Sequence, residues 1–175
     1  MTPEPALLTG RLLIRPLELA DAAAVAGYRS DPGVARYQSW SAPYSVADAQ
    51  ELVGGDPRAA GWSQSAVVLR SDNTMIGDIG VNLHENLMQA EIGFTLSADH
   101  QGFGYGSEAV AGLLGYLFTG RGLHKVSAEC DARNQASARL LERVGFRREG
   151  LRRSHTWIKG EWTDDLEFGI LASDR

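Results

Sequence analysis

The 175-residue chain has a single cysteine, Cys130, so it can form no disulfide within itself. That scarcity suits a reducing compartment, and a cytoplasmic location is expected. No stretch approaches the ~18 consecutive apolar residues that a membrane span needs. Met1 to Gly10 lacks a basic segment followed by an apolar run, so no signal peptide is expected. Excess positive charge is also missing. Lys and Arg number 17 against 22 Asp and Glu, a formal net charge of −5. Nucleic-acid binders usually carry the opposite balance, so no such partner is expected, and no membrane either. The four His and one Cys are scattered without zinc-ligand spacing, so no metal is expected. A weakly acidic surface can attract a cationic acceptor such as an amine, although ordinary solubility charge is the better account of it on composition alone.

The sequence itself reads as one domain over residues 1–175, with 1–8 expected to fray. Arg11 to Leu17 is strand-like and is closed by Pro16. Asp21 is placed to cap an Ala-rich helix over Ala22 to Tyr28, Asp31-Pro32-Gly33 signals a turn, and Ser45 opens a second helical stretch to about Val53. Ser65 to Leu69 and Met75 to Leu83 read as a hairpin around Ser71-Asp72-Asn73, and Ala90 to Leu96 as a further strand. A glycine loop follows, then a helix to about Arg121. Its Val110, Leu113, Leu114, Leu117 and Phe118 fall on one face. Lys125 to Cys130 is a strand, and Asn134 to Val144 a helix ended by Gly145. The strands Phe146 to Ile158 and Trp162 to Leu171 close the chain. This order implies an α/β fold with a mixed, mostly antiparallel sheet flanked by helices.

The loop Gln101-Gly102-Phe103-Gly104-Tyr105-Gly106 lies between a strand and a helix. The first N–H groups of a helix have no helical partner, and the macrodipole adds partial positive charge there. Alternating glycines let that backbone approach an anion. No Gly-Lys-Ser/Thr follows, which excludes the Walker pattern. The third glycine comes one residue too early for a dinucleotide fingerprint.

Ala90-Glu91-Ile92-Gly93-Phe94-Thr95-Leu96-Ser97 followed by Gln101 to Ala109 resembles the strand–loop–helix core of the GNAT superfamily of N-acyltransferases. The Gln-x-x-Gly-x-Gly spacing matches at Gln101, Gly104 and Gly106. A second match is Asn134 to Phe146. The ending Arg148-Glu149-Gly150, then Trp157 to Asp165, is similar to the branch of ribosomal-protein N-terminal acetyltransferases of RimJ/RimL type, as is Thr9 to Leu17. The resemblance covers nearly the whole chain. It implies that acetyl-CoA, or another acyl-CoA, is the co-substrate. The backbone of Gly102, Phe103, Gly104, Tyr105, Gly106 and Ser107, next to Gln101, would hold the pyrophosphate. Phe94 and Leu96 would pair with the pantetheine arm, and Asn134 would contact it or cap its own helix. The expected partners are the acyl-CoA and an amine acceptor, either a protein N-terminus or a small molecule such as a polyamine or aminoglycoside. A homodimer is left open.

Amine acylation needs a neutral nucleophile. An α-amino group, with a pKa of about 7.7–8.0 against about 10.4 for lysine, is the easier one at neutral pH. By position Ser137 is the candidate acid for the leaving thiolate, and Glu91 the candidate base, acting through water. The tyrosine that many members of the family place four residues after that serine is Leu141 here. The base of other relatives falls at Thr156, beside His155, which titrates in a suitable range. Cys130 is a poor candidate nucleophile because it sits among core positions, so direct transfer is expected. Trp40, Trp62, Trp157 and Trp162 line the acceptor pocket or pack elsewhere. The competing reading is an acyl-CoA-binding sensor without transfer activity.

Overall fold

A computed structural model describes residues 6–175. Its strands are β1 (Leu7–Leu8), β2 (Leu12–Pro16), β3 (Gly61–Leu69), β4 (Met75–Leu83), β5 (Gln89–Leu96), β6 (Lys125–Asp131), β7 (Arg147–Ile158) and β8 (Glu161–Leu171). They form one eight-stranded sheet in the order β1-β2-β3-β4-β5-β6-β8-β7. Neighbours are antiparallel except β5 and β6, which run parallel. This is the mixed, mostly antiparallel sheet that the sequence implies. Leu7 and Leu8, expected to fray, instead pair with Ile14 and Leu13; residues 1–5 of that segment lie outside the described residues.

The helices are α1 (Ala22–Arg29), α2 (Pro32–Ala35), α3 (Val46–Glu51), α4 (Tyr105–Gly115) and α5 (Gln135–Arg143). Strand alternation and helical spacing meet in one main core. Ile79, Ile92, Val126 and Phe168 from the sheet pack with Val110, Leu114 and Leu141 from α4 and α5. The opposite face of the sheet is divided. Over β3 it is covered by α1 and α3, where Val25, Ala49, Ala66 and Val68 form a second cluster. Over β6, β8 and β7 the same face carries Glu129, Glu167 and Arg152, all partly exposed.

Several local expectations change. Asp31-Pro32-Gly33 begins α2 rather than a plain turn, because the Asp31 carboxylate accepts from Gly33 N at 2.7 Å and Pro32 suits the first helical turn. Asp21 precedes α1 without capping it. Its carboxylate instead takes both Arg15 Nη atoms at 2.7 and 2.8 Å and Glu18 N at 2.8 Å. The helix expected to reach Arg121 changes at Gly115 into a π turn, Tyr116–Gly120. Ser45 does cap its helix, in a reciprocal box with Asp48.

One buried polar cluster fixes α1 to the sheet. Arg29 Nη2 meets Asp78 Oδ1 at 2.7 Å, with side chains only 6% and 1% exposed. The Tyr28 hydroxyl and the Gln64 amide donate to the same carboxylate. Burial and the Asp78 charge raise the Tyr28 phenol, so it stays a neutral donor. The Arg29 guanidinium also lies over the Trp40 ring at 4.1 Å, and the Trp40 indole donates to Arg29 O at 3.1 Å.

The feature that makes a site is a fork in the sheet. β5 and β6 pair only at Gln89↔Lys125, Ala90↔Val126 and Glu91↔Ser127. β5 runs on to Leu96 and β6 to Asp131, and beyond Glu91 and Ser127 the two are no longer paired.

Candidate active site

The glycine loop follows β5 at the open side of the fork. Gly102 and Gly104 have φ of +83° and +81°, left-handed values that a side chain adopts only at a cost, and Gly104 precedes the first residue of α4. Gln101 is a brace rather than a ligand by its visible contact: its Nε2 donates to Leu96 O at 3.0 Å. A second brace comes from far away in sequence. Arg11 Nη1 donates to Phe103 O at 3.0 Å, and its Nε meets Glu108 Oε2 at 2.6 Å. Its guanidinium lies 4.3 Å from the Tyr105 ring centroid. Thr9 Oγ1 donates to Glu108 Oε1 at 2.6 Å. The loop is thus built before any ligand arrives, with the N–H groups of the first turn of α4 free of helical partners. Gly106 has a further reason to lack a side chain. A Cβ there would meet Leu140 Cδ1 at 2.7 Å and Leu96 Cδ1 at 3.1 Å, so it lets α4 approach α5 and β5 closely.

A cavity of about 490 Å³ opens beside this loop, within the range of small-molecule sites. All the expected cofactor residues wall it except Phe103, and Ser137 walls it too. Phe103 is expected to act through its backbone N–H; the residue is 62% exposed and does not wall the cavity, while its carbonyl is held by Arg11. The wall also includes residues the sequence reading missed. Arg139 and Arg143 face the cavity from α5, and Arg143 Nη1 donates to Ser107 Oγ at 3.3 Å. Their i, i+4 spacing after Asn134 was the available signal. Gly33, Val34, Tyr37 and Gln38 come from α2 and the residues after it, which no motif marked.

A smaller cavity of about 90 Å³ lies in the fork, walled by Ile92, Gly93, Glu129, Cys130, Asp131 and Leu141. Tyr37, Gln38, Phe94, Asn134 and Ser137 wall both cavities, so the two meet there. Asn134 caps α5, its Oδ1 accepting from Ser137 N at 3.2 Å, and it also walls both cavities. The Ser137 hydroxyl has no hydrogen-bond partner among the described residues. Leu141 is fully buried and offers no proton.

Glu91 is the last β5 residue paired before the fork, opposite Ser127. It shares a strand face with Gly93, about 7 Å along the strand. Burial raises its carboxyl above the ordinary range, and the nearby Glu129 charge adds to this. Cys130 is half-buried, and burial together with Asp131 pushes its thiol up to about 11. It is therefore a protonated, weak nucleophile at neutral pH. His155 is exposed and bonds Arg152 at 2.7 Å, and Thr156 donates to Asp165, so neither belongs to the cavities. Trp157 and Trp162 stack edge to face at 5.4 Å and are exposed at the end of the β7–β8 hairpin. Trp62 is exposed on β3, and Trp40 packs on Arg29; none of the four tryptophans walls either cavity.

The hairpin tip holds the missed wall in place. Lys159 and Gly160 adopt left-handed φ of 48° and 82°, as a two-residue turn requires. Lys159 Nζ then donates to Ala35 O, and at 3.4 Å to Arg36 O, reaching across 124 and 123 residues. Burial draws its pKa below the usual value. Among the described residues no group of three or more His, Cys, Asp or Glu is arranged to hold a metal. Among the same residues no helix is long and apolar enough to cross a membrane.

Comparison with known proteins agrees with this geometry. The profile of the acetyltransferase (GNAT) domain matches residues 11–147. Uncharacterized N-acetyltransferase p20 of Bacillus licheniformis is 34% identical over 173 residues, 96% of this chain and 97% of its own. The structure of a GNAT-family acetyltransferase from Bacillus anthracis superposes with a TM-score of 0.88 at 30% identity, over 97% of this chain and 99% of that one. A spermidine N-acetyltransferase from Vibrio cholerae, solved with CoA and spermine, shares the fold at a TM-score of 0.81 and 24% identity, covering 95% and 98% of the two chains. The [ribosomal protein uS5]-alanine N-acetyltransferase of Escherichia coli is 27% identical over 101 residues, 55% of this chain and 52% of its own. The narrower RimJ/RimL resemblance thus has only partial support, and the comparisons reach the superfamily and not that branch. With a braced glycine loop, a forked sheet and full-length relatives, the chain belongs to the GNAT acetyltransferases and is an acetyl-CoA-dependent N-acetyltransferase.

Proposed function

We propose that this enzyme moves an acetyl group directly from acetyl-CoA to a primary amine at the fork, with Ser137 as acid and Glu91 as base. The observation that carries the reading is the position of Ser137. Its unpartnered hydroxyl lies where the larger cavity beside the glycine loop meets the smaller one in the fork.

The donor fits the larger cavity chemically. Its pyrophosphate is taken by the N–H groups of Gly102 to Ser107, and Arg139 and Arg143 add positive charge opposite the loop. The pantetheine amides pair with the β5 main chain near Phe94 and Leu96, where β6 no longer does. The amine reaches the thioester from the fork. Its nitrogen attacks the carbonyl carbon, the new C–N bond forms, and the C–S bond breaks with its electrons going to sulfur. The Ser137 hydroxyl gives its proton to that sulfur and is reprotonated from solvent. The nitrogen's surplus proton passes through water to Glu91. The raised Glu91 carboxyl makes it a stronger base than an ordinary carboxylate. Protein α-amines and small-molecule amines both meet these needs. The partial likeness to a uS5-alanine acetyltransferase favours the first, and the shared fold with a spermidine acetyltransferase keeps the second in play.

Initial-rate kinetics test the scheme. Intersecting patterns are expected, with Cys130→Ala retaining most activity. Ser137→Ala should lower kcat about tenfold or more, within the range for acid–base groups, with acetyl-CoA affinity kept. Ping-pong kinetics with a trapped acyl-cysteine would refute direct transfer. Acetyl-CoA binding without turnover on a panel of peptides, polyamines and aminoglycosides would favour a sensor.

A further inference from the structure

No buried side-chain nitrogen or oxygen lacks a hydrogen-bond partner among the described residues. Against that background the meeting point of the two cavities stands out. Three half-buried polar groups gather there, the Tyr37 hydroxyl, the Gln38 amide and the Ser137 hydroxyl, and none has a hydrogen-bond partner among the described residues. Ser137 is accounted for by the leaving thiol. Tyr37 and Gln38 are not.

Both are held firmly. Their backbone follows α2, whose last carbonyls are clasped by Lys159, and Gln38 N itself donates to Ala35 O at 3.0 Å. The Tyr37 ring has the Arg36 guanidinium 5.1 Å and the Arg133 guanidinium 5.6 Å from its centroid. With its ring flanked in this way, what Tyr37 still offers is its hydroxyl. Pre-ordered polar groups without protein partners are what a binding site presents to a ligand.

The carboxylates on the same walls are already engaged. Asp131 accepts from Arg133 N, Nε and Nη2 at 2.9, 3.0 and 2.7 Å. Glu129 lies 3.3 Å from Arg152 Nη2. Glu91 is not among the wall residues of either cavity. A ligand carrying a second ammonium group meets no unpaired carboxylate on these walls, whereas a ligand carrying a neutral hydrogen-bonding group meets two unpaired partners.

We infer that Tyr37 and Gln38 are specificity-determining residues, which read the atoms flanking the acceptor nitrogen through neutral hydrogen bonds. The inference rests on the transferase reading of the fork. It favours an amine with an adjacent carbonyl or amide, which can accept from the Tyr37 hydroxyl and exchange hydrogen bonds with the Gln38 amide. It disfavours an oligoamine, whose flanking atoms are methylenes.

Thiol release with an alanyl peptide and with spermidine, beside acetyl-CoA calorimetry, tests this. Wild type should show the higher kcat/KM with the peptide. Tyr37→Phe and Gln38→Leu should each raise the peptide KM about tenfold, the scale of one net hydrogen bond, with kcat and acetyl-CoA affinity within about threefold of wild type. Gln38→Glu, which supplies an unpaired carboxylate, should move the peptide-to-spermidine ratio about fivefold towards spermidine. A wild-type preference for spermidine, an unchanged peptide KM in both neutral variants, or acetyl-CoA binding weakened by the same factor as the KM would each overturn it. A wild type that binds acetyl-CoA yet releases no thiol with either amine breaks the transferase reading, and the inference falls with it.

Discussion

The two sides of the fork are built on different principles. The side proposed for the donor is made largely of two continuous segments, 94–107 and 134–143, and what it would present to an anion is mostly main chain. The side proposed for the acceptor is assembled from pieces distant in sequence, Tyr37 and Gln38, Gly93, Glu129 to Asp131 and Ser137, and it presents side chains. Main-chain recognition depends on conformation, so glycines and helix ends write it into a local motif. Side-chain recognition depends on which residues the fold brings together, and no local motif records that.

The largest effect expected from breaking this arrangement is at Asp78, which fastens the covered half of the sheet. Asp78→Ala removes the carboxylate shared by Tyr28, Arg29 and Gln64 and leaves the Arg29 charge buried and unpaired. A loss of about 3–5 kcal/mol is expected, a Tm drop of roughly 10 °C by calorimetry. Because α1 leads into the wall with Tyr37, acceptor KM should suffer below the melting point more than acetyl-CoA affinity. An unchanged Tm would mean that apolar packing alone holds α1.

On the donor side, Gly104→Glu is expected to cost about 3 kcal/mol of acetyl-CoA affinity, roughly a hundredfold. It forces a side chain onto a backbone at φ +81° and faces the phosphates with a negative charge. The variant should stay folded by circular dichroism, because the loop residue is exposed and a Cβ at Gly104 comes no closer than 3.5 Å to Arg11. Acetyl-CoA should no longer shift its melting. Equal affinities in wild type and variant would remove the loop from the donor site.

The smallest effect concerns pH. Glu91 works as a base only when ionised, and burial raises its carboxyl. The acid limb of kcat/KM should therefore lie above the ordinary carboxylate value of about 4.3, and Glu91→Gln should lose that limb and be partly rescued at high pH. The same shift makes a stability statement of known sign. A raised folded-state carboxyl favours the protonated form, so its contribution to stability falls as pH rises from the unfolded value through the folded one. Glu91→Gln should thus be at least as stable as wild type at neutral pH. A wild-type acid limb retained in the variant would assign Glu91 a structural role.

What the sequence made legible follows the same division. The glycine spacing from Gln101 to Gly106, the amphipathic α4 and the cap at Asn134 are local signals, and the structure has them where the spacing puts them. Phe103 was read for its backbone alone, and no local signal showed that Arg11 holds its carbonyl while the residue stays exposed. Gly106 was read as room for an anion, while its packing against Leu140 depends on a helix 34 residues later. Asp21 was read as a cap because the sequence does not show that Arg15, one strand earlier, claims its carboxylate. Tyr37 and Gln38 were invisible for the strongest form of that reason. Their place at the fork depends on a hairpin tip more than 120 residues away.

That clasp bears on how such an enzyme changes over generations. Lys159 grips the carbonyl oxygens of Ala35 and Arg36, groups that every amino acid carries. Mutations at 37 and 38, or even at 35 and 36, can accumulate without removing anything the lysine holds. On the proposed reading, the wall at 37 and 38 can therefore change while its mooring stays in place, and new amines can be tried without rebuilding the frame around them.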